Sequence, residues 1–231
     1  MRAVIFAWAE LTALPVEIRE DDFVICADVG LKTAERFGVR PSVVIGDFDS
    51  YPNGRLYNGE KVVLPVEKDD TDTHYAVRYA LDRGADEIVI VGGIGGARED
   101  HTFANIATLR YIYSRGAKGY IITDRARIDY LENGTLTLPA EEKSVNVTVF
   151  PLTETALVTE RGLKYSVEKT EFFADNSDFI FVKVAKRFDE FEFEVVGKSA
   201  RIVVRFYACA FNDVGVDGAL CKEVYLADLL G

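Results

Sequence analysis

Long apolar runs are missing from this chain of 231 residues, and no stretch approaches the length needed to cross a bilayer. Met1 to Glu20 also lacks a basic start, an apolar run and a small-residue cleavage site, so no secretory signal is read there. A cytoplasmic protein without a membrane partner is expected, and the triplets Asn133-Gly134-Thr135 and Asn146-Val147-Thr148 match the glycosylation pattern only formally. Cysteine is scarce. Cys26, Cys209 and Cys221 are odd in number and widely spaced, which excludes a disulfide framework and a CxxC zinc site and suits a reducing compartment. Basic residues are in deficit, 27 Lys and Arg against 38 Asp and Glu, for a net charge of −11. A general nucleic-acid partner is thereby excluded, because such binding needs a basic surface to displace counterions. The acidic surplus does not oppose ATP, since Mg²⁺ sits between carboxylates and phosphates. Glutamine is absent while Lys, Arg and Glu are plentiful, a composition found in heat-adapted proteins. Internal repeats and low-complexity tracts are absent as well.

What is present is a chain 48% hydrophobic, enough to bury the core of one large or two modest domains. Its first half alternates short apolar runs with helical patterns. Val4–Trp8, Phe23–Ala27, Ser42–Ile45, Val62–Leu64, Ile88–Val91 and Tyr120–Ile122 read as buried strands, rich in β-branched residues. Leu31–Phe37, Thr73–Arg83 and His101–Arg115 read as helices, each stopped by a glycine: Gly38, Gly84 and Gly116. Ala76, Val77, Ala80 and Leu81 form the apolar stripe of the second helix, and Phe103, Ile106, Ala107 and Tyr111 that of the third. This alternation predicts an α/β fold with a mainly parallel, Rossmann-like sheet over residues 1–131. The pattern then changes. Asn133-Gly134 reads as the turn of a tight hairpin between Tyr130-Leu131 and Leu136. Val145–Val149 and Phe191–Val195 alternate with period two, and Arg201–Phe206 is a further strand, so residues 132–231 are expected to form an all-β sandwich. The stretch from Tyr207 to Gly231 has no assignable pattern.

Ligands of an open parallel sheet bind beyond the carboxyl ends of its strands, and the acidic residues collect at those ends. Asp28-Val29-Gly30 follows the second predicted strand, and Gly46-Asp47-Phe48-Asp49-Ser50 the third. Asp47 and Asp49 would point the same way on an extended backbone and could hold Mg²⁺; an ordinary Gly/Asp/Ser turn is the plainer reading. Lys68-Asp69-Asp70-Thr71-Asp72 follows the fourth strand. Asp72 could simply cap the next helix, yet Asp69, Asp70 and Asp72 crowd negative charge that a cation would relieve, and Lys68 could reach a phosphate. The fifth strand is followed by Gly92-Gly93-Ile94-Gly95-Gly96-Ala97-Arg98-Glu99-Asp100-His101. Glycines there would let backbone N–H groups approach phosphates, and Arg98 adds a forked donor, although Asp100 and His101 also fit a cap and a local contact. Neither GxxxxGK[ST] nor GxGxxG is present.

Taken together, Ala27-Asp28-Val29-Gly30, Gly46–Ser50, Lys68-Asp69 with Thr71-Asp72, and Gly95–His101, with Pro41 and Asn105 nearby, resemble the ordered motifs of the thiamine pyrophosphokinases. Gly162-Leu163-Lys164-Tyr165 and Asn176 resemble two further elements of that family, with Tyr165 where Trp is common and Asp175 where Ser is expected. The resemblance implies an α/β domain followed by a β-sandwich, a homodimer with a shared cleft, and Mg²⁺-dependent transfer of diphosphate from ATP to thiamine with release of AMP. It implies Asp47, Asp49, Asp69 and Asp72 as metal ligands, and Asp72, Asp100 and Arg98 as catalytic groups. Asp28, Gly30, Lys68, Arg98, His101, Tyr165 and Asn176 fall on the nucleotide and thiamine side, with Tyr165 stacking on thiamine. A pyrophosphokinase for another alcohol, such as a hydroxymethylpterin, would share the carboxylates. A nucleotide-sugar glycosyltransferase would explain Asp47 and Asp49 but not the later motifs, and a thiamine or nucleotide sensor would not need so many carboxylates.

Overall fold

A computed structural model describes residues 1–96, 98–139, 145–162, 166–173, 182–183 and 190–207. Six strands and three helices alternate first: β1 (Arg2–Phe6), β2 (Phe23–Ala27), α1 (Gly30–Arg36), β3 (Val43–Gly46), β4 (Glu60–Val63), α2 (Asp72–Asp82), β5 (Glu87–Val91), α3 (Glu99–Ser114) and β6 (Lys118–Ile122). All six strands pair in parallel, in the order β6-β5-β1-β2-β3-β4. The central strands are buried on both faces, which is why they are continuous apolar runs rather than alternating ones. Ala3, Ile5, Ile25, Val43 and Ile90 pack beneath Ala76, Val77 and Ala80 of α2 and Leu109 and Ile112 of α3. Val4, Phe6, Val24 and Val44 face Leu31 and Ala34 of α1. Cys26 is a core residue of that second layer, its thiol pushed up by burial.

The helix stops behave as expected: Gly38, Gly84 and Gly116 have φ of 68°, 84° and 78°. The α2 stripe is likewise found, with Ala76, Val77 and Ala80 buried. The stripe assigned to α3 is found only in part, with Ile106 and Tyr111 packed against the core. Phe103 and Ala107 are exposed, and the helix buries Thr102, Asn105, Thr108, Leu109 and Ile112 instead. Its inner face is half polar because it must hydrogen-bond the loop that precedes it: Thr102 Oγ1 accepts from Gly95 N (3.1 Å), and Asn105 Nδ2 donates to the Gly93 carbonyl (2.7 Å).

The remaining strands are antiparallel: β7 (Ala126–Pro139), β8 (Val145–Pro151), β9 (Thr155–Arg161), β10 (Val167–Phe173), β11 (Val182–Lys183) and β12 (Glu190–Tyr207). They do not start a separate sheet. β7 pairs with β6, and the hydrogen-bonded path runs β10-β9-β12-β7-β6 into the parallel strands. The hairpin expected at Asn133-Gly134 is overturned. β7 passes straight through it, Gly134 pairs with Val195, and the β7–β12 register shifts between Val195 and Ala200. Asn133, at φ 47°, therefore lies beside an irregularity in a long ladder. The two runs read as separate strands, Phe191–Val195 and Arg201–Phe206, are parts of β12. The stretch beyond Tyr207 lies outside the described residues.

β9 carries an anomaly. Glu160 is 1% exposed, its Oε2 has no hydrogen-bond partner among the described residues, and burial pushes its carboxyl up to about 7. A folded-state pKa above the unfolded value of about 4.3 means that the native state holds this proton more tightly. The stability it confers is present at acid pH and is lost as pH rises towards about 7, a total on the order of 3 kcal/mol. Urea unfolding at pH 5 and pH 8 is expected to show Glu160→Gln gaining on the wild type by roughly this amount at the higher pH. Parallel pH curves for the two proteins would refute the assignment.

Candidate active site

Two aspartates just past strand ends and one that opens a helix meet at the carboxyl edge of the parallel sheet. Asp28, Asp47 and Asp72 each offer a carboxylate oxygen, and these oxygens lie within 4.8 Å of one another. Backbone geometry produces the meeting. Asp28, at φ 43°, continues the β2–β3 pairing by donating its N–H to Ile45 O (2.8 Å). On β3, a Cβ at Gly46 would stand 3.0 Å from Asp28 Cβ, so glycine lets the two strand ends close up. Phe48 is buried in the core and fixes the turn that carries Asp47 and Asp49. That turn is not extended: Phe48 has φ 60°, and Asp49 donates its N–H back to Asp47 Oδ1 (3.1 Å). Asp47 is thereby turned inward, and Asp49 is exposed, accepting a hydrogen bond from the Ser50 hydroxyl (2.9 Å).

Asp72 is the first residue of α2, not its cap. Thr71 performs that role, its Oγ1 accepting from His74 N (3.1 Å) and leaving the Asp72 carboxylate free for the cluster. Lys68 answers part of the negative charge. Its Nζ donates to Asp47 Oδ2 (2.5 Å) and sits 3.2 Å from Asp72 Oδ1, close enough for charge pairing but outside hydrogen-bonding geometry. Asp69 is exposed and is not one of the three meeting residues, while Asp70 pairs with Arg78 (2.5 Å).

One ammonium does not neutralise three carboxylates, two of them buried and the third partly so. Burial, then the charges of Asp72, Asp47 and Asp49, push Asp28 up to about 6. Burial raises Asp72 too, against the pull of Lys68. Asp47 ends below the usual range: burial raises it, but hydrogen bonds from Lys68 and the Asp49 N–H outweigh that. Among the described residues, the Oδ1 atoms of Asp28 and Asp72 are buried without a hydrogen-bond partner. Unsatisfied, crowded carboxylate oxygens are the donor set of a hard divalent cation, so these residues fit Mg²⁺. Sequence reasoning placed Asp28 on the nucleotide and thiamine side; its membership of the acidic cluster depends on the Gly46 contact, which no spacing rule exposes.

A second group lies beyond the end of β5, two strands from β2. Arg98, just before α3, forms a two-pronged contact with Asp100, Nε to Oδ1 at 2.8 Å and Nη2 to Oδ2 at 2.5 Å. This contact holds the exposed Asp100 carboxyl at about 2. Asp100 does not cap the helix, which has no side-chain cap. His101 is half-buried, and burial, then Arg98, lower its pKa. The glycines serve mostly for close packing. A Cβ at Gly30 would fall 2.0 Å from the Phe6 carbonyl oxygen, one at Gly92 2.8 Å from Ala9 O, and one at Gly96 2.4 Å from the Trp8 indole nitrogen. The Gly95 N–H is taken by Thr102. Tyr165 and Asn176 lie outside the described residues.

Residues 15–121, which include both groups, match the family described as the catalytic domain of thiamin pyrophosphokinase. The chain is 30% identical over 147 residues to the thiamine pyrophosphokinase of Bacillus subtilis (strain 168), covering 61% of this chain and 68% of that one. A crystal structure of thiamine pyrophosphokinase from Bacillus subtilis superposes with a TM-score of 0.79 at 25% identity, covering 90% of this chain and 100% of the other. The thiamin pyrophosphokinase of Candida albicans shares the fold, with a TM-score of 0.68 at 16% identity over 89% of this chain and 88% of that one.

Proposed function

The chain belongs to the thiamine pyrophosphokinase family, and from that premise we propose that it transfers a diphosphate from ATP to the hydroxyl of thiamine, releasing AMP. The observation that carries this reading is the meeting of Asp28, Asp47 and Asp72, two of them paired with Lys68, in a chain that spans 68% of its Bacillus relative. In the reaction the thiamine oxygen bonds to the β-phosphorus, and the bond from that phosphorus to the bridging oxygen of the α-phosphate breaks. AMP leaves with the bridging oxygen. The protein has little covalent work to do beyond aligning these oxygens and neutralising charge on the moving group.

Asp28, Asp47 and Asp72 would hold Mg²⁺, with Asp49 and Asp69 close in sequence to support it. Bound there, the cation neutralises phosphate charge. Lys68 would exchange its contacts with Asp47 and Asp72 for a phosphate oxygen, and Arg98 would exchange Asp100 for another. Asp72 or Asp100 would accept the alcohol proton, Asp100 once Arg98 has turned from it to the phosphate. His101 and Gly30 shape the nucleotide side, and Tyr165 with Asn176 the thiamine side. The antiparallel strands form the sandwich part of the site, and the enzyme works as a homodimer in the cytoplasm.

Incubating the protein with ATP, Mg²⁺ and thiamine is expected to give AMP and thiamine diphosphate in equal amounts, from particles of twice the chain's 25.7 kDa. AMP formed only with another alcohol would reject the acceptor. Nucleotide binding without AMP would reject the enzyme. Light scattering at 25.7 kDa would reject the dimer.

A further inference from the structure

Trp8 is the chain's only tryptophan, and it lies ahead of the residues 15–121 that match the family. It stands just past the end of β1, the central strand of the parallel sheet. The backbone on both sides of it is fixed: Ala7 N donates to Val91 O (2.8 Å) and Ala9 N to Gly92 O (2.9 Å). Ala7 and Ala9 are buried, while Trp8 is only half-buried. Two further contacts frame the indole. Gly96 abuts its edge so closely that a Cβ would fall 2.4 Å from Nε1 and 2.5 Å from Cδ1. The His101 ring meets it edge-on, with centroids 6.0 Å apart and planes at 71°.

A large aromatic clamped by a loop and a helix, yet half-open at the ligand-binding edge of a sheet, has the character of a stacking wall. Its neighbours indicate which ligand. The loop that abuts it leads into Arg98, a forked phosphate donor. On its other side come β2 and β3, whose ends carry Asp28 and Asp47. Neighbouring strands are about 4.8 Å apart, so these carboxylates stand roughly one and two strand widths from the end of β1. A nucleotide laid along this edge would set its base at Trp8 and its phosphates over the acidic cluster.

We propose that the Trp8 indole is the stacking wall for the adenine of ATP, held in position by Gly96 and His101. The assignment rests on the reading of the protein as an ATP-dependent diphosphotransferase. Because Trp8 is the only tryptophan, intrinsic fluorescence of the wild-type protein reports on it directly. With Mg²⁺ present, ATP and AMP are expected to quench this fluorescence, whereas inorganic tripolyphosphate, which has phosphates but no base, and thiamine alone are not. In steady-state assays of AMP release, Trp8→Ala is expected to raise KM for ATP by about 5- to 150-fold, the range for one base–aromatic stack, with KM for thiamine unchanged. Trp8→Phe should restore most of the loss. Quenching by thiamine but not by AMP would overturn the proposal, as would an unchanged KM for ATP in Trp8→Ala accompanied by a lowered melting temperature. A wild-type protein that releases no AMP would defeat the functional reading instead, and quenching by ATP and AMP would still score the stack.

Discussion

Asp72→Asn is expected to leave a folded protein whose kcat/KM falls by at least about a hundredfold, the scale for losing one charge that stabilises a transition state. The substitution keeps the size of the side chain and the Thr71 cap of α2, so the helix has no reason to fray. What it removes is one of three carboxylates whose oxygens lie within 4.8 Å of one another. In the metal-free protein the crowding is a cost: burial pushes Asp72 up, and Asp28 reaches about 6 through burial and the charges of Asp72, Asp47 and Asp49. The variant should therefore melt no lower than the wild type without metal. Magnesium separates the two. A cation that binds only the native state adds about 2.7 kcal/mol at a hundred times its Kd, a rise in melting temperature that the variant should largely lose. Near-normal turnover, or an undiminished response to Mg²⁺, would reduce Asp72 to an ordinary first-turn acid.

Gly30→Ala is expected to be strongly destabilising, by about 3 kcal/mol, at the upper end for an overpacked core. The added Cβ would sit 2.0 Å from the Phe6 carbonyl oxygen and 2.5 Å from its carbon, and neither atom can retreat. β1 is hydrogen-bonded to β2 on one side and β5 on the other, so α1 would have to lift from the sheet. At roughly 2–4 °C per kcal/mol for a chain of this size, the melting temperature should drop by about 6–12 °C. Gly38→Ala provides the contrast: its φ is +68°, but nothing among the described residues stands within 4 Å of the added Cβ, so only backbone strain of about 1 kcal/mol is expected. If Gly30→Ala melted like the wild type while KM for ATP rose, Gly30 would be a ligand contact rather than a packing device.

The parallel half was legible because its signals are local. A β-branched run buried on both faces looks the same wherever its partner lies, and a helix that ends on Gly38, Gly84 or Gly116 announces its stop within one turn. The antiparallel half was less so. Asn133-Gly134 has the composition of a hairpin turn, but Gly134 pairs with Val195, some sixty residues on, and that distant strand overrides the local preference. Phe103 and Ala107 were misplaced for a related reason: an apolar period says nothing of a glycine loop whose N–H and carbonyl need Thr102 and Asn105. In the site, the aspartates could be found from motifs at strand ends. Which of them meet could not. That depends on the inward turn at Phe48, on Thr71 taking the cap from Asp72, and on the absent side chain at Gly46.

The unbroken path of strands from β10 to β4 bears on how the molecule comes apart. β7 and β12 belong to the antiparallel part, yet β7 is also the covering neighbour of β6. A chain cut between β6 and β7 would leave the Lys118–Ile122 backbone with a bare row of hydrogen-bonding groups beside buried Ile121, an edge open to pairing with any other extended chain. Neither portion is a self-sufficient cassette. Loss of order in one should propagate through the shared ladder to the other, so the protein melts as one cooperative unit, and fragments meant to isolate the catalytic part would be sticky rather than soluble.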